Sequence, residues 1–468
     1  MKKWGLRAPL AVVAAVLALC VSSAVALGGT RDDQPTPIAR GPHISGVAQV
    51  LAHQPAAAAA AAAPSTCSTP GATNYKTNCH GTGRPVNETW IAPNPAGGYV
   101  AGANDYNSYN GQGQNGYYTS SDGKTWTDAG PIDVFPHNVN NGAGDPGLAV
   151  DSSGVVYYSS LFFNFNNCSV GGVELLRRNP STGAWTYFQI AANSKKQFQD
   201  KPAIALSGAN VLVSWTQFGS CSGVNVPSPI KVAVFPQGAS SVAPTTILSV
   251  PGSTNSQGSS IQGDGSGGFW IAWEEYPSPS ATIGSIKLVH WSGGSFGVVQ
   301  TISPAGFTDL PSPLPGFSFR DNSFPALAMV AGQPQVTWTS YDTGVGRAYL
   351  WTTTHPAAVV SNTGGSQFFP AIAADGSGGT YVSYSQINAG TQSYDQWVSH
   401  VTSTGTTTTK VSTASSFPSN DAFFSGQFIG DYSGMTATAG TAHPIWTDIR
   451  GPDPNFSGYE MDAFVYSP

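Results

Sequence analysis

The sequence predicts an all-β protein, and its composition is the first observation that supports this fold class. Of 468 residues, 55 are glycine and 35 are proline, while Trp, Tyr and Phe make up 11% and charged residues only 9%. Such a composition is typical of many short strands joined by tight turns, and no amphipathic helix can be placed. The formal charge of −6, without a basic cluster, argues against nucleic acid as a partner.

A repeated unit, from about residue 80 onward, is the second observation. A proline or small residue begins a short apolar strand, a glycine-containing turn follows, and a second strand ends on an aromatic residue. Seven copies align with steps of 57, 56, 57, 66, 45 and 63 residues, and they begin at Thr89, Pro146, Pro202, Ser259, Pro325, Pro370 and Ser433. Steps of this size suit a four-stranded blade. The sequence therefore predicts a seven-bladed β-propeller, with a six-bladed ring as the alternative if the first or fourth copy is spurious.

Two details of the repeat concern packing and closure of the ring. The aromatic residues that end the second strands recur at one internal position, so we interpret them as core; they are Trp215, Trp273, Trp338, Tyr384 and Trp446. The last copy ends at residues 462–466 and has room for a third strand but not a fourth. A segment near residues 79–86 is therefore expected to supply the missing strand.

Residues 117–126 give the third observation, a hairpin that closes on a tryptophan. Asp122 can accept backbone N–H bonds, Gly123 supplies a positive φ, and Trp126 packs under the turn. The pattern Ser-x-Asp-Gly-x-Thr-Trp, which begins at Ser120, resembles the Asp-box (BNR repeat) of sialidases and other secreted carbohydrate-active propellers. That resemblance implies a turn between the third and fourth strands of a blade, on the face away from the active site, with a folding role.

The first 26 residues are predicted to be a signal peptide. Basic residues precede an apolar run that is too short to span a membrane, and Ala-Val-Ala ends at the expected cleavage point, Ala26. Leu19 disfavours lipid attachment at Cys20. Residues 27–79 are interpreted as a propeptide or flexible tether, and residues 80–468 as the propeller domain. We therefore expect a secreted, extracellular monomer with no transmembrane segment.

The cysteines and histidines indicate which disulfides and metal sites the chain can form. Four cysteines remain after cleavage, which in an exported chain indicates two disulfides, and proximity in the chain favours Cys67–Cys79 and Cys168–Cys221. The histidines show no metal-type spacing. Turn aspartates offer oxygen ligands for Ca²⁺ but belong to no calcium motif. The sequence therefore predicts no cofactor.

The repeat register also sorts polar residues by face. In propellers, the loops that enter the first strand and leave the second strand of each blade share one face around the channel. The candidate substrate-binding residues on this face are Arg84, Asp145, Asp200, Arg320 and Arg450. The candidate catalytic residues there are Glu274, Glu275, Tyr341, Tyr432 and Asp448. Because ionisable residues are scarce in this chain, their concentration predicts a charged funnel and a functional site.

The resemblance to sialidases implies specific roles. Arg84, Arg320 and Arg450 would clamp a carboxylate, and Tyr341 or Tyr432 would be a nucleophile primed by Glu274 or Glu275. The family's Phe/Tyr-Arg-Ile-Pro motif is represented only by Arg84. The segments 430–435 and 446–450 look like those of bacterial secreted sialidase-like propellers.

Several functions stay open on the sequence alone. The expected function is recognition of a saccharide at the funnel; an enzyme would be a glycoside hydrolase or a polysaccharide lyase. A two-acid glycosidase pair, such as Glu274 with Asp448, is one form of the hydrolase. The alternative is a non-catalytic propeller that binds a protein or a cell-wall polymer.

Overall fold

The chain forms a ring of seven β-sheets, a seven-bladed β-propeller. The structure is a computed structural model that describes residues 64–79, 84–106, 114–132, 134, 141–164, 167–219, 227–239, 247–451 and 459–468. The first strands of neighbouring blades contact one another around the whole ring, including the seventh and the first. The predicted fold class and blade count are therefore confirmed, and the six-bladed alternative is wrong.

Two short strands precede the first blade. They are β1 (Ser65–Ser68) and β2 (Asn74–Lys76). Blade 1 consists of β3 (Val86–Pro93), β4 (Tyr99–Asp105), β5 (Asn115–Ser120) and β6 (Thr125–Pro131). Blade 2 consists of β7 (Asn141–Gly142), β8 (Gly147–Val150), β9 (Val156–Asn164), β10 (Asn167–Arg178) and β11 (Trp185–Ala192), with β7 and β8 both paired to β9. Blade 3 consists of β12 (Phe198–Ser207), β13 (Asn210–Phe218), β14 (Ile230–Pro236) and β15 (Ile247–Ser249).

The later blades follow the same antiparallel order from the channel outward. Blade 4 consists of β16 (Ser256–Gly263), β17 (Phe269–Glu275) and β18 (Ile283–Ser292), with β19 (Ser295–Phe296), β20 (Gln300–Thr301) and β21 (Phe307–Thr308) paired to β18. Blade 5 consists of β22 (Ala326–Val330), β23 (Gln333–Ser340), β24 (Arg347–Thr352) and β25 (His355–Val359). Blade 6 consists of β26 (Gln367–Ala374), β27 (Thr380–Ile387), β28 (Tyr394–Thr402) and β29 (Gly405–Lys410). Blade 7 consists of β30 (Gly434–Thr438), β31 (Thr441–Asp448) and β32 (Asp462–Tyr466), completed by β2.

The N-terminal strands close the ring. β2 pairs with β32 as the fourth strand of blade 7, and β1 pairs with β6 at the outer edge of blade 1. The closing strand thus comes from the N-terminal segment, but it lies at Asn74–Lys76 and not at the predicted 79–86. Both strands also fall within the predicted tether, so the propeller includes residues before 80. A three-residue strand carries too little apolar alternation to be recognised in a sequence.

The predicted disulfide between Cys67 and Cys79 is present, with 5.3 Å between the Cα atoms. It joins the segment of β1 to the residues just after β2. The side chain of Cys168, and all of Cys221, lie outside the described residues, as do the predicted signal peptide with Cys20 and the tether up to residue 63. Within the described part of the chain, no helix is long and apolar enough to cross a membrane.

The aromatic residues at the ends of the second strands pack as core, as predicted. Each of them is at most 2% exposed; they are Trp215, Trp273, Trp338, Tyr384 and Trp446. Large flat side chains fill the wedge between twisted neighbouring sheets, which smaller residues would leave partly empty. These tryptophans and the tyrosine are therefore unavailable as sugar-stacking surfaces.

The hairpin between β5 and β6 has the predicted geometry. Asp122 Oδ1 accepts the backbone N–H groups of Lys124 at 2.8 Å and Thr125 at 2.7 Å, and Gly123 has a φ of 74°. Trp126 is fully buried and donates its indole N–H to the Gly123 carbonyl at 3.1 Å. The turn joins the third and fourth strands of blade 1. It therefore lies at the end of the sheet opposite to the start of β3.

Replacing Asp122 with alanine is expected to lower the free energy of unfolding by about 1–2 kcal/mol, because two turn amides lose their acceptor. Activity per folded molecule should stay the same, since the turn is at the far end of the blade from the channel cluster described below. Ser121→Ala, an exposed residue of the same turn, is the control. Thermal unfolding measured beside activity tests this: lost activity at an unchanged melting temperature would give the turn a functional role.

Candidate functional site at the capped end of the channel

The first strands of five blades share a bulge at one end of the central channel. The residue just before the repeat start adopts a left-handed backbone there, with φ of 54° at Glu88, 56° at Asp145, 52° at Lys201, 64° at Gly258 and 49° at Phe369. The strand register shifts at this point in blades 1, 3, 4 and 6. Non-glycine residues in this conformation cost about 1–3 kcal/mol each, and such strain is concentrated at functional sites. Three charged side chains are held in this way at one end of the ring.

A narrow cavity of about 80 Å³ lies in the channel next to these residues. Lys201, Asp431 and Tyr432 line its polar end, while Phe324 and Phe369 contribute apolar walls. Four of the seven repeat starts around it are proline, a residue that an unpaired channel edge tolerates because no ladder N–H is needed there. The cavity has room for a few water molecules but is well below the size of a typical ligand pocket.

Asp431 is the anionic centre of a fully buried ion-pair cluster. Its side chain bonds Arg320 Nε at 2.8 Å through Oδ1, while Oδ2 accepts from both Arg320 Nη2 and Lys201 Nζ. Asn322 donates to the Asp431 carbonyl at 2.7 Å. Arg320 also packs on the Phe428 ring, and Lys201 on the Phe324 ring. One carboxylate thus pairs with two cations that have left water.

Glu88 and Asp145, from blades 1 and 2, form an acid pair beside this cluster. The two carboxyl groups lie within hydrogen-bonding range of each other. Asn104 holds the pair in place, since it donates to Glu88 Oε2 at 2.6 Å and accepts from the Asp145 N–H at 2.7 Å. As carboxylates both groups would be acceptors, and Glu88 Oε1 and both Asp145 oxygens have no donor. The pair can therefore bond only by sharing a proton.

The environment of the acid pair favours its protonated form. Burial and the charge of Asp431 raise the pKa of Glu88 from 4.5 to about 7, against the opposing charge of Lys201. Burial and the charge of Glu88 raise the pKa of Asp145 well above its ordinary value. The Tyr106 hydroxyl is buried without a hydrogen-bond partner, and burial with the charge of Glu88 raises its pKa well above 10. The pair therefore retains a proton near neutral pH.

Two long loops cap this end of the channel. Residues 309–324 precede blade 5 and residues 411–433 precede blade 7, and the Arg320 N–H donates to the Gln427 carbonyl at 3.2 Å. Phe424 packs edge-on against Tyr106 at 5.2 Å, and Phe319 contacts Phe368 at 5.3 Å. The cap thus reaches from blade 1 to blade 6 with aromatic side chains. The predicted charged face is present as a buried cluster beneath this apolar cover.

A second group of buried acids surrounds Tyr276 in blade 4. Burial and the charge of Asp309 raise the pKa of Glu274 well above its ordinary value. The Tyr276 hydroxyl interacts with both Glu274 and Asp309, and Glu274 Oε2 has no donor. Lys201 acts electrostatically on Glu274, so the two groups of acids are neighbours. Glu274 is buried, as the acid pair is.

Of the other predicted catalytic residues, the structure gives Glu275 an anchoring role. Its carboxylate accepts the backbone N–H groups of Thr254 and Asn255 at 3.1–3.2 Å and the hydroxyl of Ser256. These contacts fix the loop that enters blade 4. A carboxylate with three donors of its own chain is poorly placed to prime a nucleophile.

Neither of the two predicted tyrosine nucleophiles is fully exposed to solvent. Tyr432 is partly buried, donates to the Pro146 carbonyl at 3.3 Å and packs edge-on against Trp90 at 6.2 Å. Burial and the charge of Glu88 raise the pKa of Tyr432 well above 10, the reverse of what activates a phenol. Tyr341 is partly buried and packs against the apolar cluster that includes the cap.

The predicted arginine clamp is divided between two carboxylates of the protein itself. Arg320 pairs with Asp431, whereas Arg450 Nη2 pairs with Asp448 at 2.7 Å. Arg450 also stacks on Phe464 at 3.9 Å, and Trp446 donates to Asp448 at 2.7 Å. Asp448 and Arg450 thus bond each other and their neighbours within blade 7.

The remaining two predicted binding residues lie near blades 1 and 3. Arg84 is half-buried, two residues before β3. Asp200 is fully buried beside Lys201, and its charge acts on both Lys201 and Asp145. Asp200 therefore belongs to the capped cluster, as do Asp145 and Arg320.

Four residues of the cluster, Glu88, Lys201, Asp431 and Asn104, are not among the candidates that the sequence suggests. The first three share a signal, since each stands one or two residues before a repeat start. That register places them at the bulge. Asn104 carries no such signal, because an asparagine near the end of a second strand is common in turns.

The fold and the site define a class of protein: a seven-bladed β-propeller whose channel ends in a capped cluster of acidic and basic side chains. Among the described residues, no group of three or more His, Cys, Asp or Glu is arranged to hold a metal ion.

Comparison with known proteins adds similarities of architecture. No protein-family model matches the chain, and no curated protein sequence matches it. Among solved structures, the chain is similar to the Aleuria aurantia lectin in complex with Fucα1-6GlcNAc, at 12% identity and a TM-score of 0.41, over 69% of this chain and 94% of the lectin. It is similar to the α-L-arabinofuranosidase of Fusarium graminearum in complex with an iminosugar inhibitor, at 9% identity and a TM-score of 0.46, over 69% and 94%. It is also similar to the sialidase of Trypanosoma rangeli, at 9% identity and a TM-score of 0.37, over 68% of this chain and 54% of the sialidase.

Proposed function

We propose that the chain is a saccharide-processing propeller, and that the capped cluster is the acid/base centre of a glycoside hydrolase. The observation that carries the proposal is the Glu88–Asp145 pair, whose carboxyl groups can bond only by sharing a proton. A buried acid with a pKa of about 7 can donate a proton at physiological pH, which an exposed glutamate cannot do efficiently.

Two kinds of carboxyl group stand side by side in the cluster. Glu88 keeps a proton, whereas Asp431 is ion-paired with Lys201 and Arg320 and is therefore a carboxylate. Environments that separate two carboxyl groups in this way assign the acid and the charge-stabilising roles. Glu88, supported by Asp145, would be the general acid, and Asp431 would stabilise positive charge on the sugar ring.

The proposed reaction balances without a cofactor. The acid pair gives its proton to the glycosidic oxygen, and the bond from that oxygen to the anomeric carbon breaks. Water adds to the anomeric carbon and returns a proton to the pair. The sum is hydrolysis of one glycosidic bond, with the pair restored.

A substrate would reach the pair by displacing the cap. The two cap loops are separated at their outer surface by a cavity of about 90 Å³, lined by Phe317 and Ser318 from one loop and Pro418 and Ser425 from the other. Loops that close over a site exclude water and strengthen the electrostatic interactions beneath them. The structure would then represent the closed state.

The test is hydrolysis of a panel of aryl glycosides and polysaccharides, neutral and acidic, between pH 4 and pH 8. Wild-type activity should fall as the pH rises through about 7, because the acid must be protonated. Glu88→Gln should lower kcat about 100-fold or more with little change in KM, since it removes a proton donor and keeps the shape.

Glu174→Gln is the matched control for the Glu88 variant. Glu174 is also a fully buried glutamate, and burial raises its pKa to about 8, but it lies within blade 2 against Ser160 and Asn115. This variant should keep wild-type kcat. Equal activity in Glu88→Gln and wild type, or no turnover of any panel substrate, would contradict the hydrolase.

Export is part of the proposal, based on the predicted signal peptide, and so is the absence of a cofactor from the reaction. The rival function, binding of a protein or cell-wall polymer without catalysis, draws support from the complete burial of the cluster. It predicts retention on a polymer with no hydrolysis.

A further inference from the structure

An open pocket of about 410 Å³ lies away from the capped cluster, between blades 2 and 3. Its polar wall is formed by Asp151, Tyr157, Arg177, Asn179, Thr186 and Gln237. Asp151 belongs to the turn between β8 and β9, Asn179 to the turn between β10 and β11, and Gln237 follows β14. In antiparallel sheets these turns lie at the same end of the blades as the hairpin at Asp122. The pocket is therefore on the face opposite to the cap.

The pocket has the size of a small-molecule site, which the channel cavity lacks. Its volume is about 410 Å³, against about 80 Å³ in the channel. Pockets that bind small ligands typically measure about 300–1,000 Å³. The pocket therefore has enough volume for a sugar unit.

Internal hydrogen bonds hold the wall of the pocket in place. Asp151 Oδ1 accepts the N–H groups of Ser153 at 2.9 Å and Val155 at 3.0 Å, and the Tyr157 hydroxyl donates to its Oδ2 at 3.3 Å. Arg177 Nη1 donates to the Ala239 carbonyl at 2.8 Å, and its guanidinium lies over the Phe188 ring. Side chains fixed in this way lose little entropy when a ligand binds.

The same side chains keep hydrogen-bonding groups for a ligand. Asn179 uses its Oδ1 for the N–H groups of Ser181 and Thr182, which leaves the Nδ2 donors. Gln237 uses its Nε2 for the Gly208 carbonyl, which leaves Oε1 as an acceptor. Thr186 is exposed and its hydroxyl can both donate and accept. The pocket thus offers both donors and acceptors.

We propose that this pocket is a second saccharide-binding site, which takes a neutral sugar. Donors and acceptors within one pocket can bond the hydroxyl groups of a sugar, each of which donates and accepts. Arg177 supplies one positive charge and Asp151 one negative charge, so an anionic sugar would gain little and meet repulsion from Asp151. The site goes beyond the proposed hydrolysis because none of its residues belongs to the acid pair.

Titration calorimetry with methyl glycosides of neutral hexoses, a deoxyhexose and an N-acetylhexosamine, and with a methyl uronate for comparison, tests the site. At least one neutral glycoside should bind. Arg177→Ala should weaken that binding about tenfold or more, because a hydrogen bond from a charged donor is lost. Thr186→Val, a change at an exposed position, should weaken it less.

Two controls separate this site from the channel. Arg178→Ala changes the next residue of β10, whose side chain lies on the other face of the sheet over Tyr117, and should bind as wild type. Glu88→Gln should also bind as wild type, even if it hydrolyses nothing. The proposal is overturned if no neutral glycoside binds, if only the uronate binds, or if both Arg177→Ala and Thr186→Val bind like wild type.

Discussion

Replacing Asp431 with alanine is expected to lower the free energy of unfolding by about 3–5 kcal/mol, because it leaves two buried cations without their carboxylate. Arg320 is 4% exposed and Lys201 6% exposed, so water cannot replace the lost partner without opening the cap. Chemical denaturation at pH 6 measures the effect. A surface ion pair, by comparison, contributes about 1 kcal/mol or less.

A double-mutant cycle separates the unpaired charge from other effects of the substitution. Adding Lys201→Met to Asp431→Ala removes one of the two stranded cations and should recover part of the lost stability. Lys201→Met alone should be destabilising, since the ion pair of Asp431 with Lys201 is lost. A double variant less stable than the sum of the two single changes would show that the charge is not the cause.

Stability is expected to be greatest in mild acid and to fall as the pH rises from about 5 to about 8. Burial raises the pKa of Glu88 and Asp462 to about 7, of Glu174 to about 8 and of Asp421 to about 6. A carboxyl group whose folded pKa is raised stabilises the fold below its unfolded pKa, and this contribution is lost as the pH rises through the folded value. Each such group costs the folded state about 1.4 kcal/mol per pH unit between the two values.

Two aspartates limit the stability of the fold at low pH. Burial alone would raise the pKa values of Asp264 and Asp375, but hydrogen bonds from backbone amides and from His290 and His400 outweigh it and lower them. Lowered carboxyl pKa values stabilise the fold above the unfolded values and fail only in strong acid. Mild acid therefore satisfies both kinds of group.

Glu174→Gln isolates one group in this pH dependence. Its folded pKa of about 8 predicts that the free energy of unfolding of wild type falls by about 4 kcal/mol more than that of the variant between pH 4.5 and pH 8.5. Denaturation curves at several pH values measure the two slopes. Parallel slopes for wild type and variant would mean that Glu174 is ionised in the folded protein.

The blades can be predicted because each of them repeats the same local sequence pattern. Prolines at the channel edge, glycine turns and tryptophans such as Trp215 and Trp273 recur at fixed positions, and the hairpin at Asp122 is encoded within seven residues. Closure by β2 was harder to predict, since three residues that pair across the whole chain length leave no periodic trace.

The sequence predicts on which face of the ring the site lies, but not which side chains contact one another there. The register put Asp145, Asp200 and Arg320 on the correct side of the ring, because an antiparallel sheet alternates its ends. Whether an arginine clamps a ligand or pairs with Asp431 depends on the path of the two cap loops, which follow no repeat. Burial beneath those loops, and hence the shifted pKa of Glu88, is a property of tertiary packing alone.

The N-terminal segment has a consequence for the order of assembly. β2 pairs with β32, and Thr77 bonds Ala463 across 386 positions of sequence, so blade 7 stays incomplete until the last strand has been made. A three-residue strand has few hydrogen bonds with which to find its place. β1, paired to blade 1 and joined by Cys67–Cys79 to the residues after β2, keeps that strand at high effective concentration beside the gap. We therefore expect the pairing of β2 with β32 to be a short local search once β1 has joined blade 1.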